Sequence, residues 1–278
     1  MLIAISTDPV NLYRANRLLC LSLCRDYNAS LARCGYSILK DTIYADDDLA
    51  ASSFEFDTAV AEVFPDMLRR SIPGYAASIQ AIGTLAARHA QADTRCYDLG
   101  CSLGAATLAI RQNISVPNCR IIAIDNAPAM VERCRTTLAN DKSETDVSVL
   151  EADVRQIQIS RASMVVMNYT LQFLPVDERA DMISKIHTGM VDDGVFVLSE
   201  KVVDEDPQVE KLLVDLHHEF KRRNAYSDLE ISRKRAALEN VLIPDTVAAH
   251  EQRLVDAGFR HTGIWLRYFN FISIVAIK

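Results

Sequence analysis

Cys96-Tyr97-Asp98-Leu99-Gly100-Cys101-Ser102-Leu103-Gly104-Ala105-Ala106 is a short apolar strand that enters a glycine-bearing turn and then opens a helix. Gly100 and Gly104 lack a Cβ, so the backbone can turn sharply there and a ligand can approach the main chain. The first N–H groups of the following helix have no intrahelical partners and face outward. The next apolar run, Cys119 to Ile124, ends in Asp125, about twenty residues past the last glycine, where an acid in a βαβ unit takes the two hydroxyls of a ribose. The pattern describes a nucleoside-binding crevice.

The spacing Asp98-x-Gly100-x-Ser102-x-Gly104 follows the D-x-G-x-G-x-G turn of S-adenosylmethionine (SAM) dependent methyltransferases more closely than the dinucleotide fingerprint. Asn126-Ala127-Pro128 follows Asp125, with proline where a new helix begins. SAM is therefore the expected nucleoside.

The alternation continues outward from this stretch. Strands are expected at Arg95–Leu99, Arg120–Ile124, Asp146–Leu150, Met164–Asn168 and Val195–Ser199, with helices at Leu103–Gln112, Pro128–Ala139 and Val176–Met190. Such alternation gives a mainly parallel sheet covered on both faces, and ligands bind beyond the carboxyl ends of its strands. Asp98, Asp125, Asp153 and Asn168 all fall at or just past such ends. Asp153 is placed to accept from an adenine amino group while the Val154 backbone meets the ring edge, or else to cap a turn. Upstream, Val60, Val63, Phe64, Met67 and Leu68 share one helical face, Ile72-Pro73-Gly74-Tyr75 breaks that helix, and Ile79, Ile82, Leu85 and Ala86 begin another. Tyr75 at the break either packs on the ligand or is a core aromatic.

Downstream, Val209, Leu212, Leu213, Leu216 and Phe220 predict an amphipathic helix, followed by one around Leu229–Leu242. A helix at Thr246–Ala257 and an antiparallel pair at Phe259–Arg267 and Phe269–Ile277 close the chain. The overall class is α/β: a Rossmann-like SAM-methyltransferase fold, mainly parallel, with a C-terminal antiparallel hairpin and a helical cover and insert. His217-His218 are adjacent and do not share a helix face, so a solvated or capping role is expected in place of a metal site. Arg233-Lys234-Arg235 reads as a solvent-facing helix surface.

With 278 residues, 49% of them hydrophobic and 24% charged, the chain can bury a sizeable core. A net charge of −7 argues against a protein whose main task is gripping nucleic acid. No apolar run approaches the length that crosses a bilayer. Seven scattered cysteines suit reduced thiols in a cytoplasm. Residues 1–53 differ in character: four arginines (Arg14, Arg17, Arg25, Arg33), three cysteines (Cys20, Cys24, Cys34) without a nearby histidine, the unused sequon at Asn28, and the acidic run Asp46-Asp47-Asp48. They lack a secretory signal's basic start and long apolar run. The expectation is a poorly ordered extension, or an upstream start that the domain at 54–278 does not need.

Together, Ala61-Glu62-Val63-Phe64-Pro65-Asp66-Met67, Ile72-Pro73-Gly74-Tyr75, Tyr97 to Thr107, Ile122-Ala123-Ile124-Asp125-Asn126, Leu171-Gln172-Phe173-Leu174, Leu198-Ser199-Glu200-Lys201, His217 to Arg222 and Ser232-Arg233-Lys234-Arg235 resemble the carboxy-S-adenosyl-L-methionine synthases. The resemblance runs from about Phe54 to the C-terminus. It implies a methyltransferase-like fold that does not methylate: SAM and prephenate become carboxy-SAM and phenylpyruvate, and a partner enzyme uses the product to carboxymethylate a wobble uridine in tRNA. It also implies a cytoplasmic homodimer that needs no metal, membrane or direct nucleic-acid contact. Tyr75, Gly100, Cys101, Ser102, Asp125, Asn126, Asp153, Val154 and Asn168 match the family's SAM contacts. Arg235 matches its carboxylate-binding residue and so is expected to be catalytic, a role suited to a guanidinium that makes two parallel bonds to a carboxylate. An ordinary methyltransferase and a non-catalytic SAM-binding module are the rival readings. The former needs an acceptor site, and Asn168-Tyr169-Thr170-Leu171 lacks the Asn-Pro-Pro-aromatic arrangement for an amino acceptor.

Overall fold

The computed structural model describes residues 39–45 and 54–278. The chain enters through α1 (Thr58–Ser71), whose N-cap Asp57 accepts a hydrogen bond from Val60 N at 2.8 Å. Gly74, at φ 77°, turns it into α2 (Tyr75–His89). Strand and helix then alternate: β1 (Arg95–Leu99), α3 (Ala105–Arg111), β2 (Arg120–Asp125), α4 (Pro128–Ala139, with proline in its first turn), β3 (Val147–Glu151), β4 (Ala162–Asn168), α5 (Arg179–Gly189) and β5 (Met190–Val203). Next come α6 (Pro207–Arg223), α7 (Asp228–Leu238, with a Ser227/Glu230 capping box), a two-residue β6 (Asp245–Thr246), α8 (Val247–Asp256), β7 (His261–Tyr268) and β8 (Phe271–Ile277).

The sheet order is β3-β2-β1-β4-β5-β8-β7, with β6 paired to the end of β5. The first five strands of that order are parallel, and β8 runs antiparallel between β5 and β7. The expected fold class holds: this is the class I SAM-methyltransferase architecture. Buried Leu99, Ile124, Val165, Met167, Phe196 and Leu198 form the centre of the core. Strand order reverses at β1, whose neighbours are β2 and β4. Their carboxyl ends open the crevice.

Several elements differ from the sequence expectation. β5 is much longer than Val195–Ser199, because β8 pairs it from Val195 to Lys201 and β6 pairs Val202 and Val203. The second insert helix stops at Leu238. The apolar stripe of α6 is not its buried face: Val209, Leu212 and Leu216 are exposed, and the helix buries His217 and Lys221. His217 is thus buried and not solvated, and of the two expected roles it takes the capping one: its Nε2 lies 2.8 Å from the carbonyl oxygen of Ser71, the last residue of α1, and its ring packs edge-on against Phe271. The run Arg233-Lys234-Arg235 is likewise not a uniform solvated face, since Lys234 is buried. Residues 39–45, within the stretch assigned to an extension, pack on α1 and α7, and Asp41 is 1% exposed. The arginines, cysteines, sequon and acidic run of the remaining N-terminal segment lie outside the described residues. No described helix is long and apolar enough to cross a membrane.

Candidate active site

Four strand ends and two turns build the crevice. Gly100 leaves β1 at φ 82°, and the N–H groups of Gly100 and Cys101 donate to the Ile124 carbonyl at 2.8 and 2.9 Å. Ser102 also has a positive φ, 49°, and its N–H donates to Asp125 Oδ2 at 2.8 Å. Asp125 Oδ1 accepts from Ala127 N at 2.9 Å. The acid at the end of β2 therefore fixes both the glycine turn and its own loop. A carboxylate has about four lone-pair sites, so capacity remains beside these backbone donors for ribose hydroxyls. Burial raises the Asp125 pKa, opposed by backbone N–H groups of Ala127, Ser102 and Asn126.

Two orphaned oxygens point to a polar ligand. Asn168 Oδ1, at the end of β4, and Asp98 Oδ1, in β1, are buried with no partner among the described residues. Asp98 Oδ2 accepts from the Thr107 hydroxyl at 2.5 Å, and burial pushes this carboxyl up to about 6. Asn126 is exposed and Cys101 buried beside the turn. Val154 contributes its side chain to the main core, leaving its backbone as the group for a ring edge. Asp153 is half-buried and held by Arg155, whose Nη2 lies 2.6 Å from Oδ2; that hydrogen bond lowers its pKa. Arg155 also reaches Glu178 Oε2 at 2.9 Å. Tyr75 is buried, its ring centroid 6.5 Å from that of Tyr169, which in turn meets Phe271 at 6.0 Å. These residues fit a nucleoside with polar edges.

Arg235 stands apart from the glycine turn, on the exposed side of α7. Among the described residues no hydrogen bond or ion pair holds its guanidinium. Its charge acts on Lys201, His218 and Lys221, lowering the pKa of each alongside burial.

A family model described as a methyltransferase domain matches residues 97–194. An O-methyltransferase family protein from Burkholderia thailandensis has the same fold: TM-score 0.59 at 17% identity, covering 93% of this chain and 70% of that one. Human N-acetylserotonin methyltransferase, solved in complex with SAM, gives 0.53 at 15% identity, over 92% of this chain and 66% of that one. The carboxy-S-adenosyl-L-methionine synthase of Citrifermentans bemidjiense is 52% identical over 239 residues, which is 86% of this chain and 98% of its own. That of Escherichia coli K12 is 53% identical over 239 residues, 86% of this chain and 97% of its own.

The chain belongs to the carboxy-S-adenosyl-L-methionine synthase family.

As such it is a transferase on a SAM-dependent fold. Two buried groups that spacing rules miss hold the loops beside the crevice. Glu200, fully buried in β5, accepts from Leu171 N and Gln172 N at 2.9 and 3.1 Å, pinning the turn after Asn168. Burial raises its pKa to about 8 against those donors and Arg179. Arg179, also fully buried, donates to the carbonyls of Leu174, Gln172 and Ile243 and to Asp245 Oδ2 at 2.7 Å. An acid closing an apolar strand is the only sequence signal for the first; the second has none.

Gly100 tests the crevice. A Cβ there would lie 2.2 Å from Thr170 Oγ1 and 2.5 Å from its Cγ2, on a backbone at φ +82°. Gly100→Ala is expected to lower the melting temperature, since overpacking costs about 1–3 kcal/mol and a left-handed alanine a further 1–2, and to weaken SAM binding by displacing the turn. Calorimetric SAM titration checks it; unchanged affinity would remove the glycine turn from the binding site.

Proposed function

We propose that this enzyme converts SAM and prephenate to carboxy-SAM and phenylpyruvate, and that the product supplies the carboxymethyl group for wobble-uridine modification of tRNA by a partner transferase in the cytoplasm. The reading rests on one observation above the rest. A guanidinium without a counter-ion among the described residues stands beside two partly or fully buried lysines, which a methyl transfer to a neutral acceptor does not require.

In this reading the backbone and side chains of Gly100, Cys101, Ser102, Asp125, Asn126, Asp153, Val154 and Asn168, with the Tyr75 ring, hold SAM. Asp125 takes the ribose hydroxyls, and Asp153 with the Val154 backbone takes the adenine edge. The sulfonium acidifies its methyl group, and prephenate supplies the carboxyl group as it aromatises. Its ring hydroxyl leaves with the methyl proton as water, so the atoms balance. Capture of the nascent group requires that water be kept from competing for it at the crevice. Arg235 then neutralises the carboxylate on the product. Asp153 would serve the adenine with its remaining lone pairs, because Arg155 already occupies both oxygens.

The exposed apolar stripe Val209, Leu212 and Leu216 on α6 supports a homodimer through the helical insert, in which Arg235 reaches its own or the neighbouring crevice. Nothing in this reading needs a metal, a membrane or direct contact with nucleic acid. Incubation of the protein with SAM and prephenate, followed by mass spectrometry, is expected to show a nucleoside heavier by one carboxyl group, together with phenylpyruvate. Unchanged SAM in the presence of protein shown to bind it would overturn the reading.

A further inference from the structure

Lys221 is an ammonium buried among its own kind. It is 9% exposed on the inner face of α6, one turn beyond His217. The charges acting on it are those of Lys234, Lys201 and Arg235, all positive, and together with burial they push its pKa down to about 7. No carboxylate or hydrogen-bond acceptor among the described residues takes the ammonium. Its neighbour Lys234 differs, with Asp41 Oδ2 at 3.6 Å and Ser71 Oγ at 3.2 Å. Lys201 feels Glu210 as well as Arg235. His217 is held neutral by burial and by Lys221 and Lys201, and His218 is lowered in the same way. Three elements thus set cationic groups within electrostatic reach of Lys221, a repulsion that a bound anion would offset.

The place is connected to the SAM crevice. Lys201 is the cross-strand partner of Phe271, and directly opposed residues of an antiparallel pair share a face. Phe271 meets His217 at 4.8 Å and Tyr169 at 6.0 Å, and Tyr169 meets Tyr75 at 6.5 Å. A chain of ring contacts therefore links Tyr75, among the residues proposed to hold SAM, to His217, one turn before Lys221 on α6. It suits an acid that carries a six-membered ring a few bonds from its carboxylate.

We propose that Lys221, backed by Lys201, seats the carboxylate that the donor keeps through the reaction, the oxo-acid carboxylate of prephenate and of its product phenylpyruvate. This rests on the donor assignment above. The choice between the donor's two carboxylates follows from energetics. A buried ammonium stabilises a carboxylate in the ground state and so opposes its loss as carbon dioxide. The tightly seated group is the one retained, and Arg235, more exposed, is left for the group that moves.

Phenylpyruvate binding to the full-length chain, measured by calorimetry, tests the seat without turnover. Lys221→Met is expected to weaken it about tenfold or more, the worth of a charge-assisted hydrogen bond, while SAM affinity stays within about twofold and Lys221→Arg recovers part of the loss. Equal phenylpyruvate affinity in Lys221→Met and the parent overturns the proposal. If that variant does not fold, the parent protein decides. Lys221 loses its proton near 7, in the company of Lys201, His217, His218, Lys234 and Arg235, so phenylpyruvate affinity is expected to fall as pH rises from 6 to 9. A flat profile overturns the seat. Failure of prephenate as a donor, with Lys221-dependent phenylpyruvate binding intact, would fault the donor assignment and leave the seat standing.

Discussion

Arg235→Lys is expected to cut carboxy-SAM formation about 100-fold while leaving SAM affinity within about twofold, the scale of losing one preorganised donor to a developing or transferred charge. The substitution keeps the positive charge, so long-range attraction of the donor survives. It removes the planar fork that gives a carboxylate two parallel hydrogen bonds. In this protein the distinction is sharp, because Arg235 carries no structural bond among the described residues. Its side chain is exposed on α7 and its removal opens no cavity. Loss of fold is therefore not an expected route to loss of activity. A rate assay with mass-spectrometric detection, run beside SAM calorimetry, separates the two effects. Equal loss of rate and SAM affinity would move Arg235 from the carboxylate to the nucleoside, and unchanged rate would remove it from the reaction. Arg235→Ala should go further, because the neighbouring Lys201 and Lys221 cannot supply the missing fork.

Local chemistry explains what was legible beforehand. Gly100, Ser102 and Gly104 are legible as one turn because their spacing is imposed by a single strand-to-helix connection, and the structure ties that turn to Asp125, at the end of the next strand, by the Ser102–Asp125 hydrogen bond. The alternation of strands and helices likewise survives, since each element's period is set by its own residues. Groups whose role is set by distant partners were not legible. Glu200 binds residues 28 and 29 positions away, and Arg179 reaches Ile243 and Asp245 across 64 and 66. No spacing rule encodes such pairs.

The insert shows the same limit from the other side. The apolar period of α6 is real, yet it faces outward, and the two residues it buries are His217 and Lys221. Periodicity identifies a helix and its apolar stripe; which side meets the domain depends on what the other elements present. Here they present a carbonyl, Ser71 O, and the Phe271 ring to His217.

Asp41→Ala is expected to destabilise the protein by about 3–5 kcal/mol, the cost of leaving a buried charge without its partner, and to lower the melting temperature by roughly 10 °C for a domain of this size. Asp41 is 1% exposed, and its carboxylate lies 3.6 Å from Lys234 Nζ and accepts from the Tyr226 hydroxyl. Its backbone N–H donates to Asp66 Oδ2 at 2.9 Å, and its carbonyl accepts from Arg70 Nη1 at 2.8 Å. Arg70, 2% exposed, also stacks over the Tyr226 ring at 3.7 Å. Without the carboxylate, Lys234 and Arg70 face Asp66 alone. The pH dependence carries a sign. Burial holds folded Lys234 down to about 8 against an ordinary 10.5, and Asp41 pulls it back up. Between those values the unfolded chain binds more protons, so this group's contribution to stability rises with pH across the window. In Asp41→Ala the window opens at lower pH, and the deficit relative to the parent is expected to shrink as pH rises from 7 to 9. Truncation provides the complementary comparison: a chain beginning at residue 39 retains the contacts of Asp41, whereas one beginning at residue 46 loses them and should melt as Asp41→Ala does or lower. Melting curves of the three proteins that coincide would show that residues 39–45 are dispensable, as first expected of everything before Phe54.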